Sequence, residues 1–201
     1  MNGALNNSEQ IKKIVLIGIS TGGPSTLRQL FQILPEKLDL CIVVVIHINE
    51  SSAEKLCCLL DECCKMNVIF ATNKMPLENN KIFICSGTEY NYEVSSDLKI
   101  ITSPHFEKQI YKPSVNHLFE TAVKNIRNQK LMMILLTGMG NDGAKGLAAG
   151  YDSGHLTVIQ DEKSSVIYGM PKAAKLLGKY HYEGTIEEIA ELIKKFSRNL
   201  I

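Results

Sequence analysis

The chain has 201 residues, 45% of them hydrophobic and 21% charged, with a net charge of +1 at neutral pH. This length and composition predict one globular domain able to bury a full core, and they exclude the basic-patch type of nucleic-acid or anionic-membrane binder. No apolar run approaches the roughly eighteen residues of a membrane span, and the opening MNGALNNSEQIKK lacks the apolar centre of a signal peptide, so a cytoplasmic location and no membrane insertion are expected.

In chain order, residues 1–12 are expected to form a tail ahead of a single domain over 13–201. The β-branched run IVLIGI predicts a strand over 14–19. Residues 24–34 follow with Leu27, Leu30, Phe31 and Leu34 at helical spacing. CIVVVIH (41–47) reads as the second strand, and 53–64 as a helix with Leu56, Leu59, Leu60 and Cys63 on one face. From 68 to 102 the short runs KIFIC, YEV and LKIIT alternate with turns, which predicts an antiparallel excursion or edge hairpin. PSVNHLFETAV is helix-like. Two further strands, 131–136 and 156–159, lead into the helical GAKGLAAGY and MPKAAKLLG, and 185–196 closes the chain as an amphipathic helix. Strands that are apolar throughout and separated by helices predict an α/β fold, doubly wound, with a mostly parallel sheet, helices on both faces and an added antiparallel hairpin.

Six cysteines are present. Cys41 and Cys85 fall in strands, and Cys57, Cys58, Cys63 and Cys64 share one helix. Paired C-x-x-C spacing is absent, so we expect core thiols in a reducing compartment and no metal site.

In a parallel sheet the strand ends share one edge, where ligands bind. The first strand delivers Ser20, the second His47, and the strand LMMILLT delivers the loop GMGNDG with Asp142. Serine, histidine and aspartate are the parts of a nucleophile, base and orienter. Gly18-Ile-Ser20-Thr-Gly22 matches G-x-S-x-G in a strand–turn–helix context. A helix cap or a phosphate-loop hydroxyl is the competing reading of Ser20, although neither G-x-G-x-x-G nor a P-loop ending is present. His47 ends a buried strand that has no reason of its own to finish in an imidazole. Asp161, in VIQDEKSS, is a second strand-end carboxylate. The flanking glycines favour Asp142, but the residues alone leave both open. Surface or capping roles are expected for His105, His117, His155 and His181.

The blocks IGISTGGP, VVVIHI, KPSVNHLF, ILLTGMGNDGAKGL and VIQDEKSSVIYGMPKAA resemble, in order and spacing over 14–201, the chemotaxis-type protein-glutamate methylesterase domain (CheB). The resemblance implies a doubly wound α/β domain that hydrolyses glutamyl methyl esters on the cytoplasmic helical stalks of methyl-accepting chemoreceptors, and in some members deamidates receptor glutamines. It implies Ser20 as nucleophile, His47 as base and Asp142 in preference to Asp161. Thr21 and Met139, with neighbouring Gly22 and Gly140, match site-lining positions whose backbone N–H groups would bind an oxyanion. No metal or organic cofactor is implied. The chain order Ser, His, Asp differs from the Ser, Asp, His of α/β-hydrolases.

The sequence departs from the family pattern at Lys112 (usually arginine), Asn116 (commonly aspartate), Cys85-Ser86-Gly87 (usually Ala-Pro-Gly) and Tyr90 (often histidine). None is a catalytic position, and all bear on substrate docking. The family's phosphorylatable receiver does not precede the first strand here. The expectation is therefore a naturally receiverless member or the catalytic part of a longer protein, with room for a regulatory partner in trans. Two rival functions are a serine hydrolase of another ester or amide, and a binding module using STGGP and GMGNDG to cradle a phosphate or nucleotide.

Overall fold

KIVLIGI is buried at every position in β1 (Lys13–Ile19), as befits a central strand covered on both faces. The chain continues through α1 (Gly23–Ile33), β2 (Cys41–Ile46), α2 (Glu50–Cys63), β3 (Asn67–Phe70), β4 (Met75–Pro76), β5 (Lys81–Cys85), β6 (Tyr90–Val94) and β7 (Lys99–Pro104). It then forms α3 (Val115–Asn125), β8 (Lys130–Leu135), α4 (Ala144–Asp152), β9 (Leu156–Gln160), α5 (Met170–Leu177), β10 (Tyr182–Gly184) and α6 (Ile186–Ser197). This computed structural model describes residues 11–107 and 109–201.

The main sheet has seven strands in the order β10-β9-β8-β1-β2-β5-β3, and every pairing in it is parallel. Alternate side chains of β1 and β2 enter opposite cores. Val15, Ile17, Ile19, Ile42, Val44 and Ile46 meet the apolar faces of α1, α2 and α6. Ile14, Leu16, Cys41, Val43 and Val45 meet α3, α4, α5 and the small sheet. From β1 the chain leaves over the first face, and from β8 over the second. The crevice between their carboxyl ends is therefore the topological switch point at which such folds bind ligands.

The 68–102 stretch divides in two. The hairpin β6–β7, joined by β4, forms a separate three-stranded antiparallel sheet. KIFIC instead enters the main sheet as β5, parallel to β2 and to β3. Its Ile82, Phe83, Ile84 and Cys85 are all buried, the mark of an interior parallel strand. Of the expected tail, residues 1–10 lie outside the described residues. Ile11 is buried in the core, and the Lys12 carbonyl accepts from Lys130 N–H.

The cysteines are not uniformly core thiols. Cys41, Cys57 and Cys85 are buried, Cys63 and Cys64 are half-buried and Cys58 is exposed, because successive positions of an amphipathic helix point to different faces. Burial pushes the Cys41 and Cys57 thiols up to about 12. No described helix is long and apolar enough to cross a membrane.

Candidate active site

Ser20 follows β1 directly. Its N–H donates to the Thr137 carbonyl at 3.0 Å, and its own carbonyl accepts from Gly23 N–H at 2.8 Å, turning the chain into α1. The helix cap is Gly22, in the left-handed region at φ 82°, with no side-chain cap. The capping reading of Ser20 is thereby removed. Gly138 of the TGMG loop lies so close that a Cβ there would stand 2.8 Å from Ser20 Cβ and 2.3 Å from Met170 Sδ.

His47 is the first residue beyond β2, and its N–H donates to the Ile19 carbonyl at 3.2 Å, which registers it beside Ser20. The Ser86 hydroxyl donates to the carbonyls on either side of it, Ile46 at 2.9 Å and Ile48 at 2.7 Å. The imidazole is 13% exposed, and its Nε2 lies 3.0 Å from Oδ2 of the fully buried Asp142. Oδ2 also accepts from Val115 N–H at 2.7 Å. Oδ1 accepts from the Ser114 hydroxyl and from Asn116 and Gly143 N–H, each at 3.0 Å. Asp142 therefore sits on the N-terminus of α3, where orphan N–H groups and the helix dipole favour negative charge. Burial acts to raise its pKa, but the His47 bond and the Asn116 and Val115 N–H groups outweigh it, and the net shift is downward. An ionised carboxylate only accepts, so Nε2 carries the proton in this bond, and in the neutral imidazole Nδ1 is the nitrogen with the lone pair.

A pocket of about 480 Å3 opens over these residues, lined by Ser20, Thr21, His47, Met139 and Gly140 and walled by Ile110, Tyr111 and Lys112. Among the described residues, no backbone carbonyl accepts from the N–H of Thr21, Met139 or Gly140. Met139 is 73% exposed and Ile110 85%, so two large apolar side chains stand at the rim beside the exposed Lys112. No cluster of three or more His, Cys, Asp or Glu among the described residues is arranged to hold a metal ion. A groove of about 370 Å3 beside α6, lined mainly by glutamates and Leu192, holds no nucleophile beside a base.

Asp161 is elsewhere, its carboxylate accepting from Ser164 N–H at 3.0 Å in the turn after β9. His105 and His181 make local bonds, to the Thr88 carbonyl and to Thr157. His117 departs from the expected surface role. It is largely buried against Glu93 at 2.9 Å, because the small sheet packs over α3.

The profile of the family described as CheB methylesterase matches residues 15–193. The chain belongs to the CheB methylesterase family. The "Protein-glutamate methylesterase/protein-glutamine glutaminase 2" of Cupriavidus metallidurans is 36% identical over 167 residues, covering 83% of this chain and 48% of the relative. The protein-glutamate methylesterase/protein-glutamine glutaminase of Treponema denticola is 34% identical over 191 residues, 92% of this chain and 50% of the relative. The chain spans about half the length of the curated relatives it matches. The crystal structure of the Thermotoga maritima CheB methylesterase catalytic domain superposes with a TM-score of 0.85 at 26% identity, covering 92% of this chain and 98% of that one.

Several supports of this CheB site lie outside the strand-end residues that sequence reasoning selects. Ser114 caps α3, accepting from His117 N–H, and Pro-Ser ahead of an apolar helix is a legible cap signal. Thr137 and Gln160 are buried polar residues at strand ends. The Gln160 side chain accepts from Thr137 N–H at 2.8 Å, and Thr137 Oγ1 donates to the Thr21 carbonyl at 3.0 Å. Their polarity in apolar strands is the signal; their partners lie in other loops. Tyr111 carries no such signal.

Proposed function

We propose that this site hydrolyses glutamyl methyl esters, and glutaminyl amides of the same geometry, on the cytoplasmic helical domain of methyl-accepting chemoreceptors, with Ser20, His47 and Asp142 as its catalytic triad in a cytoplasmic enzyme. The observation that carries the reading is the 3.0 Å bond from His47 to a fully buried Asp142, with His47 and Ser20 lining one pocket. Ser20 Oγ attacks the ester carbonyl as His47 Nδ1 takes its proton, and Asp142 holds the imidazole tautomer and balances the imidazolium. The negative oxygen is held by N–H groups of Thr21, Met139 and Gly140, which donate to no backbone carbonyl among the described residues. His47 returns the proton to the departing methoxide, releasing methanol and leaving an acyl-serine. Water, deprotonated by His47, then frees the glutamyl carboxylate and restores Ser20. The exposed Met139 and Ile110 at the rim offer apolar contact to a protein segment.

The test is release of labelled methanol from methylated chemoreceptor cytoplasmic fragments, with Ser20→Ala in parallel. Release by the wild type and none by Ser20→Ala supports the reading. Equal release by both removes Ser20 as the nucleophile. If neither releases methanol, labelling by a serine-directed phosphonate separates a hydrolase of other esters from a module that only binds.

A further inference from the structure

We propose that Tyr111 is a positioning residue for the His47–Asp142 pair, its ring setting the plane of the imidazole and its hydroxyl holding the residue that precedes Asp142. The proposal rests on the functional reading above and names a part of the machinery that strand-end chemistry does not require.

The Tyr111 and His47 rings lie nearly parallel, 8° apart, with centroids separated by 5.6 Å, an offset stack of the kind aromatic pairs favour. At the far end of the ring, the hydroxyl donates to Asn141 Oδ1 at 3.2 Å and accepts from Asn141 N–H at 3.4 Å. One side chain thus touches the base and the residue next to the orienter in sequence. The fit is tight, since a Cβ on Gly140 would fall 2.3 Å from the Tyr111 hydroxyl, and Gly140 takes φ +89°.

Tyr111 is itself anchored. The Gln109 side-chain amide donates to the Tyr111 carbonyl and to Asn91 Oδ1, both at 2.6 Å. Asn91 donates back to Gln109 Oε1 at 2.8 Å and accepts from Ser114 N–H at 3.0 Å. A buried asparagine of the small sheet therefore ties down both ends of the 109–114 segment.

This arrangement supplies something the carboxylate lacks. A single hydrogen bond fixes the distance of Nε2 from Asp142 but leaves the imidazole free to tilt about that contact. A flat ring against its face removes the tilt and aims Nδ1 at one direction in the pocket. Misplacement of a reacting group by about 1 Å can cost on the order of 10²-fold in rate, so this orientation is worth most in kcat.

The experiment compares wild type, Tyr111→Phe and Tyr111→Ala as full chains, by steady-state methyl-ester hydrolysis, phosphonate labelling of Ser20 and the NMR shifts of the His47 ring protons. Loss of the ring should lower kcat by on the order of 10²-fold with KM within about twofold, as expected for an effect on the reacting groups rather than on binding. Tyr111→Phe keeps the stack and should regain most of that loss. The ring-current displacement of the His47 protons should persist in Tyr111→Phe and vanish in Tyr111→Ala. If Tyr111→Ala does not fold at the assay temperature, Tyr111→Leu, which keeps apolar bulk without a flat ring, is read by the same expectations. A folded ring-less variant with wild-type kcat, a change confined to KM, or unmoved His47 shifts overturns the proposal. If the wild type neither turns over nor takes the phosphonate, the triad reading fails instead, and the His47 shifts still report whether the stack exists.

Discussion

Asp142 is met by five donors, from Ser114, Val115, Asn116, Gly143 and His47. This asymmetry makes Asp142→Asn an informative change. An amide has one acceptor atom, and it would turn that atom to the three donors around Oδ1. Its NH2 would then face Nε2 and force the imidazole to carry its proton on Nδ1, where the base must be free. Under the proposed triad, Asp142→Asn should fold and lose on the order of 10⁴ in kcat, with a tautomer change visible in the 15N shifts of His47. Unchanged shifts alongside lost activity would refute the tautomer argument. Ser86 supports the same imidazole from behind through the two carbonyls that flank it. Ser86→Ala should cost about 1 kcal/mol of stability for bonds to buried carbonyls, read as a lowered urea midpoint.

At the scale of elements, two helix caps separate stability from catalysis. Ser114 begins α3 and also donates to Asp142. Thr185 begins α6 with a full capping box, Glu188 reciprocating, and does not line the pocket. Each cap replaced by alanine should cost about 1 kcal/mol. Chemical denaturation should show similar losses, whereas kcat should fall for Ser114→Ala and stay at the wild-type value for Thr185→Ala. Equal kcat in both would mean that the Ser114 bond does not matter to Asp142. The elements themselves were largely legible. CIVVVIH and LMMILLT are apolar at successive positions, and only a strand covered on both faces rewards that pattern. KIFIC carries the same mark, yet its short neighbours suggested a hairpin, because the β3–β5 connection is a parallel return without a helix. Nothing local distinguishes such a return from an antiparallel turn.

For the molecule as a whole, Asp142 and Glu93 link the fold to pH. Both carboxyls are shifted down although burial opposes the shift, Glu93 through bonds from Ser103 and His117. A carboxyl whose folded pKa is depressed adds stability that is complete above its unfolded value and lost as pH falls through the folded one. The urea midpoint should therefore decline as pH drops below the ordinary values of 3.8 for Asp142 and 4.5 for Glu93, and the decline should be shallower in Asp142→Asn. An equally steep decline in that variant would show that other groups carry the acid limb. Much was determined by the sequence alone. Period and apolar runs dictated the parallel sheet with helices on both faces, since buried strands and amphipathic helices have few other ways to cover their apolar surface. The glycine-flanked Ser20 and the polar His47 stood out because each breaks the pattern of the strand that bears it. The tertiary structure alone decided what these residues touch. Asp142 and Asp161 are both strand-end carboxylates on paper, and the residues alone favour Asp142 only by its flanking glycines. One lies on the N-terminus of α3 against His47 and the other in a turn with Ser164, and that difference is set by where α3 packs. Tyr111 and Asn91 were invisible for the same reason: their contacts join segments remote in sequence, and periodicity reports burial but not partners.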